Sequence, residues 1–386
     1  MLKLTGGTLV SPTIHQCHDL YITHGKMYQI SQDSVTSCLD CTGLFILPGF
    51  VDQHVHGAMG IDCSDCTADQ LQALSIELAR HGVTGFLPTL TTLPKQHTLA
   101  ALRGIAQSAA QMPGAAILGI HLEGPCLNEM YRGAQDPRNL ALPAVKDFKA
   151  YVEAAGGLLR LVTLAPELDG AEELICYLTD LGIRVSIGHS SATFDQAQAA
   201  FSTGVGGVTH TLNGMRGFHQ HEPSIFGAAI LSNAMVEIIC DGFHLVPPTV
   251  AVMEQVFGIE RLILVTDAIP AAGFPDGEYN FSCFGEPLII TNGDARLKIT
   301  DSRAGSTLTM DRAFRNFQQF TGRSMAEASR CASQNPLEYL GMTGRGKLAD
   351  GMEADLTVLD HNQEVVYTIV GGRIVYARKG AGIHHV

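Results

Sequence analysis

The stretch Ile46–Gly60, ILPGFVDQHVHGAMG, decides the fold, because an apolar run ends there in two histidines and then opens into glycines. Residues i and i+2 of a strand point to the same face, so His54 and His56 can project together from the strand's carboxyl end. Two neutral imidazoles on one side of a rigid element make half of a metal site. An isolated His-x-His pair is as often an ordinary polar strand end, so the interpretation depends on the rest of the chain.

Seven further apolar runs follow, with helical patterns between them. The apolar runs are continuously hydrophobic, which indicates strands buried on both faces of a parallel sheet. The predicted helices include 67–81, with Thr67 and Gln70 spaced as a capping box, and 192–204. Eight such strands alternating with helices predict an α/β fold, a (β/α)8 TIM barrel. A doubly wound open sheet is the alternative. That fold is less favoured, because no G-x-G-x-x-G motif follows the first strand. The predicted strands are 46–54, 83–88, 116–123, 159–165, 183–189, 207–211, 235–241 and 262–267.

The two ends of the chain have a different pattern, in which short apolar runs alternate with turn residues. This pattern predicts small antiparallel β-strands, and Gly371-Gly372 marks a hairpin. Neither end can form a core alone. We therefore expect residues 1–47 and 345–386 to pair into one small β-sandwich domain beside a catalytic barrel of residues 48–344.

Composition narrows the functional class. The net charge of −13 argues against binding to nucleic acid or to an anionic membrane, so a small-molecule substrate is expected. The N-terminus does not resemble a signal peptide, and no stretch approaches the roughly 18 uncharged apolar residues of a membrane helix. Ten dispersed cysteines favour reduced thiols and a cytoplasmic protein, although the pairs Cys38/Cys41 and Cys63/Cys66 could in principle share a structural zinc.

The carboxyl ends of the predicted strands carry four histidines and two carboxylates. Active sites of (β/α)8 barrels lie at these ends. Any one of the six side chains alone could be structural, but together they form a ligand set for a divalent metal. They are His54, His56, Glu123, His189, His210 and Asp267.

Ligand type suggests a role for each of these residues. Glu123, His189 and His210 provide three protein ligands and leave a position for water, as catalytic zinc-like sites require. His54 and His56 could hold a second ion, with Glu123 bridging, because the fourth strand carries no lysine that could bridge as a carbamate. Asp267 is the predicted general base and then acid, which takes a proton from water and delivers it to a leaving amine. The predicted reaction is hydrolysis of an amide, ester or similar bond.

Seven motifs, in order and spacing, resemble the N-acetylglucosamine-6-phosphate deacetylases of the amidohydrolase superfamily, over about residues 44–360. The resemblance implies a homodimer that removes the acetyl group from N-acetylglucosamine-6-phosphate or N-acetylgalactosamine-6-phosphate. It implies metal at Glu123, His189 and His210 and proton transfer by Asp267, with one or two divalent ions, zinc first and iron, manganese or cobalt as alternatives. The motifs are PGFVDQHVHG, GIHLEGPCLN, VSIGHSSAT, THTLNGM, CDGFH, VTDAIPAAG and AGSTLTM.

The same resemblance implies a set of substrate contacts, two of which depart from the family. Gln135 replaces a family histidine that helps hold the acetyl carbonyl; an amide can donate a hydrogen bond but cannot carry charge. His221 replaces a family arginine that reaches the sugar phosphate, often from the neighbouring subunit, and this removes a bidentate clamp. Arg132 and Arg216 are the nearest substitutes in sequence. The implied contacts are Ala134, Gln135, Asn213, Gly214, His221, His244, Ala304, Gly305 and Ser306.

These departures leave the phosphate specificity open. An unphosphorylated N-acetyl hexosamine, or another N-acyl amine, is the alternative substrate. A non-enzymatic metal-binding or regulatory protein on the same scaffold is a third possibility. It explains the sequence less well, because Asp267 and an open coordination position serve no structural need.

Overall fold

The computed structural model describes residues 1–30, 35–281, 283–381 and 384–385, and a barrel of eight parallel strands forms its centre. Each strand pairs with the next in sequence order. The ring closes where the Asp267 N–H donates to the His54 carbonyl (2.8 Å) and the His56 N–H donates to the Ala268 carbonyl (2.7 Å). This closure confirms the (β/α)8 barrel and excludes the open sheet. The barrel strands are β1 (Phe50–Val55), β2 (Val83–Leu90), β3 (Ile120–Glu123), β4 (Leu159–Leu164), β5 (Arg184–Ile187), β6 (Gly207–Val208), β7 (Met235–Ile239) and β8 (Leu262–Val265).

Helices alternate with these strands and bury their apolar faces in the same core. The predicted helix 67–81 is Ala68–Arg80, with the capping box of Thr67 and Gln70. The predicted helix 192–204 is Phe194–Thr203 and opens with a second capping box. The described part of the chain contains no helix with the length and apolar character that a membrane span requires. The α-helices are Ala68–Arg80, Lys95–Ser108, Val145–Ala154, Ala171–Asp180, Phe194–Thr203, Ser224–Leu231, Pro247–Phe257, Met310–Thr321, Met325–Ser329 and Asn335–Tyr339.

The apolar run predicted as one strand over 46–54 is in fact two strands in different sheets. Phe45–Pro48 pairs with a C-terminal strand, whereas β1 begins at Phe50. Gly49 joins them, and its N–H donates to the Asp355 carbonyl at 2.9 Å. A side chain at Gly49 would collide with Thr84, so only glycine lets the chain pass this closely from the small sheet into the barrel.

Two sheets built from both ends of the chain form the small β-sandwich that the sequence predicts. Leu4 and Leu39 of one sheet share a buried core with Leu9, Ile46 and Val358 of the other. Cys41 lies in this core and Cys63 in the barrel core, so the two C-x-x-C pairs do not share an ion. The first sheet has the order His384–His385, Ser37–Asp40, Leu2–Thr5, Leu20–Thr23, Lys26–Tyr28, and the second Arg373–Ala377, Val365–Val370, Leu356–Leu359, Phe45–Pro48, Thr8–Ser11, Ile14–Cys17.

The prediction of purely antiparallel sheets was wrong, while the predicted hairpin is confirmed. Leu2–Thr5 pairs in parallel with Ser37–Asp40, because the intervening hairpins supply the crossover that parallel strands need. Gly371-Gly372 joins two antiparallel strands, with φ values of 53° and 78°. The domain boundaries at residues 47 and 345 stay a prediction.

A third, unpredicted sheet follows β8 along the chain. Its strands are Gly277–Tyr279, Leu288–Thr291 and Asp294–Leu297, and the last two form a hairpin. Asn292 and Gly293 form its turn with φ values of 53° and 84°, as in the type I′ turns of two-residue hairpins. We call residues 288–303 the cavity hairpin, because its second strand and the return segment reach the cavity described below.

His81, which ends the helix Ala68–Arg80, ties it to the helix Met310–Thr321. Its Nδ1 lies 3.0 Å from Asp311 Oδ1 and its Nε2 lies 3.4 Å from Glu77 Oε1. Burial lowers the pKa of His81, but its interactions with Asp311 and Glu77 outweigh that effect and raise the pKa to about 9. The folded chain therefore binds this proton more tightly than an unfolded chain does, where histidine titrates near 6.5.

We expect His81 to stabilise the fold in a pH-dependent way. Its contribution is fully present below pH ~6.5 and is lost as the pH rises through about 9, because the folded-state pKa is the raised one. His81→Gln should lower the free energy of unfolding by about 1–2 kcal/mol at pH 6, after allowance for partial exposure, and by much less at pH 10. Urea unfolding at both pH values measures this, with the exposed His97→Gln as control. An equal loss at both pH values would contradict the expectation.

Candidate metal centre and active site

The structure brings together the six side chains predicted from the strand ends. Those of β5, β6 and β8 lie two residues past the end of their strand, because φ values of 48°, 29° and 49° at His189, His210 and Asp267 break the extended backbone. Non-glycine residues rarely adopt this left-handed conformation, which is typical of functional sites when the surroundings hold it. All six side chains are buried: His54, His56, Glu123, His189, His210 and Asp267.

Glu123, His189 and His210 form the first group of potential ligands. The Nε2 atoms of His189 and His210 each lie 3.1 Å from Glu123 Oε1 and 3.0 Å from each other. His189 Nδ1 lies 2.8 Å from the Tyr131 carbonyl, which can only accept, so Nδ1 donates there and the ring turns Nε2 towards the group. Two imidazole nitrogens and a carboxylate oxygen this close together can all bind one cation.

His54, His56 and Asp267 form the second group, directly beside the first. The two Nε2 atoms lie 3.2 Å apart, and Asp267 Oδ1 lies 3.4 Å from that of His54 and 3.2 Å from that of His56. Glu123 lies between the groups, since its other oxygen, Oε2, is 3.4 Å from His56 Nε2. The donor atoms within each group lie within 4.8 Å of one another, so each group can surround one ion.

A buried carboxylate that the sequence analysis missed, Glu237 of β7, orients His54. Its Oε2 lies 3.0 Å from His54 Nδ1, and its Oε1 accepts from Gln53 Nε2 at 2.7 Å. His56 Nδ1 lies 3.2 Å from the Thr89 carbonyl. Both rings therefore present Nε2 to the centre, the arrangement that metal-ligating histidines adopt.

The electrostatics of the cluster favour a cation at its centre. Burial lowers the pKa of His56, but Asp267 and Glu123 raise it to about 10. Burial raises the pKa of Asp267, yet His54 and His56 lower it to about 2. Burial also opposes ionisation of Glu123, while His189 and the other histidines hold its pKa well below the usual range. Two ionised carboxylates among imidazoles form a donor set that fits a divalent metal.

A cavity of about 320 Å³ opens over the cluster, within the size range of small-molecule sites. Asp241 Oδ2 lies 2.6 Å from His244 Nδ1, so His244 can contact a ligand through Nε2. Gly214 has a φ of 57°, and a Cβ there would lie 2.9 Å from His189 Nδ1, so glycine allows this loop to approach the cluster. Six of the substrate contacts implied by resemblance line the cavity: Ala134, Gln135, Asn213, Gly214, His244 and Gly305.

Gln135 contacts one of the potential metal ligands directly. Its Nε2 donates to Glu123 Oε2 at 2.6 Å, and its Oε1 accepts the Thr92 N–H at 2.8 Å. The amide is thus oriented from both ends. It lies where the cavity meets the carboxylate between the two ligand groups.

Three of the implied contacts lie outside the cavity lining of this chain. His221 is exposed, and its N–H donates to His219 Nδ1 at 3.2 Å. Ala304 is buried in the small core beside the third sheet. The Ser306 hydroxyl donates to the Thr266 carbonyl at 2.5 Å, so it shapes the loop next to Asp267.

Two arginines that the sequence analysis did not single out, Arg296 and Arg303, line the cavity. The substitutes considered from sequence are engaged elsewhere: Arg216 Nε donates to the Ser191 carbonyl at 2.6 Å, and Arg132 Nη1 to the Glu129 carbonyl at 3.0 Å. The sequence contains a signal for one of these arginines, because Arg303 directly precedes Ala304 of the implied substrate loop.

Known proteins resemble this chain in both sequence and fold. A model of the amidohydrolase family matches residues 45–375. The N-acetylgalactosamine-6-phosphate deacetylase of Escherichia coli O157:H7 is 37% identical over 360 residues, which cover 92% of this chain and 94% of the relative. The N-acetylglucosamine-6-phosphate deacetylase of Lysinibacillus sphaericus is 34% identical over 361 residues, 92% of each protein. A mutant of the Mycobacterium smegmatis N-acetyl-D-glucosamine-6-phosphate deacetylase, solved with N-acetyl-D-glucosamine-6-phosphate, matches with a TM-score of 0.90 and 32% identity over 97% of this chain and 99% of that one.

Proposed function

This chain belongs to the amidohydrolase family and, within it, to the N-acetylglucosamine-6-phosphate deacetylases, and from that premise we propose that it hydrolyses the N-acetyl group of an amino-sugar 6-phosphate to acetate and the free amine. The substrate is N-acetylglucosamine-6-phosphate or N-acetylgalactosamine-6-phosphate. The observation that carries the proposal is the buried cluster in which Glu123 lies between two ligand groups, under a cavity of small-molecule size.

Glu123, His189 and His210 would hold one divalent ion, and His54 and His56 would hold a second, with the Glu123 carboxylate lying between the two ligand groups. Imidazole and carboxylate donors suit zinc, with iron, manganese or cobalt as alternatives. When bound, the metal supplies a Lewis acid that polarises the acyl oxygen and lowers the pKa of water.

Asp267 is the group that moves the proton. The neighbouring histidines keep its carboxylate ionised at neutral pH, so it can accept a proton from the attacking water and deliver it to the amine nitrogen. Its backbone is held on both sides, because its N–H donates to the His54 carbonyl at 2.8 Å and its carbonyl accepts the Ser306 N–H at 2.7 Å. This backbone position places the carboxylate oxygen Oδ1 3.4 Å from His54 Nε2 and 3.2 Å from His56 Nε2.

The loops around the cavity bind and orient the sugar. His244 presents Nε2, and Asn213 and Gly214 bring a loop against His189. Gln135 places its amide beside the cluster, where the acyl group has to lie for attack. Positioning of this kind contributes by holding the reacting atoms in contact.

Acetate release tests the proposal. The metal-loaded chain should release acetate and free amine in equal amounts from either N-acetylhexosamine 6-phosphate, with kcat in the usual range of about 1–10³ s⁻¹. Enzymatic acetate assay and amine derivatisation measure the two products. If folded and metal-loaded protein released acetate from neither 6-phosphate, the proposal would be rejected. A marked preference for the plain sugars would favour the second candidate, an unphosphorylated N-acetylhexosamine, which the exposed position of His221 keeps open.

We further propose that the chain forms a homodimer in the cytoplasm. Phe218 and His221 are exposed on one loop, which offers a surface to a second subunit. Cys63 and Cys240 pack as buried apolar groups, as thiols in reducing compartments often do. Light scattering should give twice the chain mass of 41.2 kDa.

A further inference from the structure

We propose that Arg296 and Arg303 of the cavity hairpin bind the phosphate group of the substrate from within the same chain. The inference rests on the proposed function and names the cationic groups that a sugar 6-phosphate needs. Both side chains line the cavity that also contains Glu123 and Asp267. Among the described residues, they are the only lysine or arginine side chains in that lining.

The two arginines lie directly opposite each other. Arg296 belongs to the second strand of the hairpin, and Arg303 forms an antiparallel bridge with it as the chain returns. The return segment is held against the strand, since the Leu297 N–H donates to the Ser302 carbonyl at 2.9 Å. Like charges facing each other across a strand pair destabilise a sheet. Two guanidinium groups at this position therefore need negatively charged groups beside them.

Asp294 supplies part of that negative charge and orients both arginines. Its carboxylate accepts from Arg303 Nε at 2.8 Å, from Arg303 Nη2 at 3.1 Å and from Arg296 Nε at 2.9 Å. Burial raises the pKa of Asp294, but the two arginines outweigh it and lower the pKa below its ordinary value. Asp294 thus holds two guanidinium groups side by side, and Asp301, whose Oδ2 lies 3.1 Å from Arg296 Nη1, is the second carboxylate paired with them.

Each arginine keeps donors for a ligand. A guanidinium has five N–H groups. Arg303 uses Nε and Nη2 on Asp294, and Arg296 uses Nε on Asp294 and Nη1 on Asp301. Within the described contacts, Arg303 Nη1 and Arg296 Nη2 donate no hydrogen bond. Their side chains are 31% and 36% exposed, so an incoming phosphate can reach these nitrogens.

This arrangement compensates for the residue that replaces the family arginine. His221 lies outside the cavity lining of the chain, and Arg132 and Arg216 are bound to main-chain carbonyls. A phosphate carries nearly two negative charges at neutral pH and is best held by guanidinium pairs. The hairpin provides such a pair in the cavity that contains the metal cluster.

Binding of the reaction product separates this inference from the catalytic proposal. Titration calorimetry of metal-loaded protein with glucosamine 6-phosphate and with glucosamine gives the ratio of their affinities, which isolates the phosphate. We expect Arg296→Gln and Arg303→Gln each to lower this ratio about tenfold, and the double variant about a hundredfold or more. Arg303→Lys keeps the positive charge but loses the planar guanidinium that can donate two parallel hydrogen bonds. It should lower the affinity ratio less than Arg303→Gln.

Arg378→Gln is the matched control, because Arg378 also pairs with an aspartate, Asp360, at 2.7 Å, but lies in the terminal β-sandwich. It removes the same charge and should leave the ratio unchanged. Thermal unfolding checks that each variant is folded. If the double variant does not fold, the Arg303→Lys variant still tests the inference.

Two outcomes would overturn the inference: an unchanged affinity ratio in the folded arginine variants, or a wild-type protein that does not prefer glucosamine 6-phosphate to glucosamine. Acetate release, measured in parallel, tests the proposed function alone. If the ratio falls as expected while the wild type releases no acetate, the phosphate site stands and the deacetylase proposal fails. If acetate is released but the arginine variants keep the wild-type preference, the deacetylase proposal stands and this inference fails.

Discussion

In the Asp267→Asn variant, kcat for N-acetylglucosamine-6-phosphate falls by about 10³-fold, because an amide can neither accept the proton of the attacking water nor deliver one to the leaving amine. Asparagine has nearly the same shape, and the backbone hydrogen bonds of Asp267 to His54 and Ser306 do not involve the side chain. The fold should therefore be retained. The ion assigned to Glu123, His189 and His210 should also stay bound, since Asp267 belongs to the other ligand group.

Steady-state kinetics and elemental analysis on the same preparation measure both expectations. Asp62→Asn is a suitable control, because Asp62 lines the same cavity and its carboxylate accepts the Ser64 N–H at 2.8 Å. It should change kcat by less than about tenfold. More than a tenth of the wild-type turnover in Asp267→Asn would reject the assigned role.

Glu123→Gln should remove bound metal and turnover together. Both oxygens of Glu123 face histidine Nε2 atoms, at 3.1 Å for His189 and His210 and 3.4 Å for His56. Glutamine replaces one oxygen with an NH₂ group, which cannot coordinate, and removes the negative charge that offsets the ion. We expect metal affinity to fall by at least about 100-fold, more than for loss of a group that only orients a ligand.

Metal titration monitored by competition with a chromophoric chelator gives the affinity and the number of ions. Glu237→Gln is the informative comparison, because Glu237 orients His54 and is not itself in either ligand group. It should weaken the second ion about tenfold and leave the first in place. If Glu123→Gln keeps its full complement of metal after dialysis, Glu123 is not a ligand.

Local patterns in the sequence were sufficient to predict the barrel. Continuous apolar runs occur because each barrel strand is buried on both faces, and the polar residue that ends such a run lies at the rim. The helix Ala68–Arg80 was predictable because the two residues of its capping box, Thr67 and Gln70, lie close together in the sequence. The run 46–54 misled the prediction, because a continuous apolar run does not reveal that the chain changes sheets at Gly49.

Convergence of the six strand-end side chains also followed from sequence, because closing a barrel brings every strand end to one rim. The residues that contact these six side chains could not be predicted from the sequence. Glu237 meets His54 across the barrel, and no periodicity in a single strand reveals that pairing. The cavity hairpin was missed although Asn292-Gly293 between two apolar runs is a hairpin signal; recognising it would still not have shown that Arg303 faces the catalytic cavity.

The sequence by itself determined the class of fold and the set of potential metal ligands at the barrel rim, because these depend on which residue types end the buried strands. The tertiary structure alone decided that Gln135 bonds to Glu123, that His221 lies outside the cavity and that Arg296 and Arg303 lie within it. These contacts join loops that are distant in sequence. Their positions depend on how the loops pack over the closed barrel, and not on the hydrophobic pattern of any one segment.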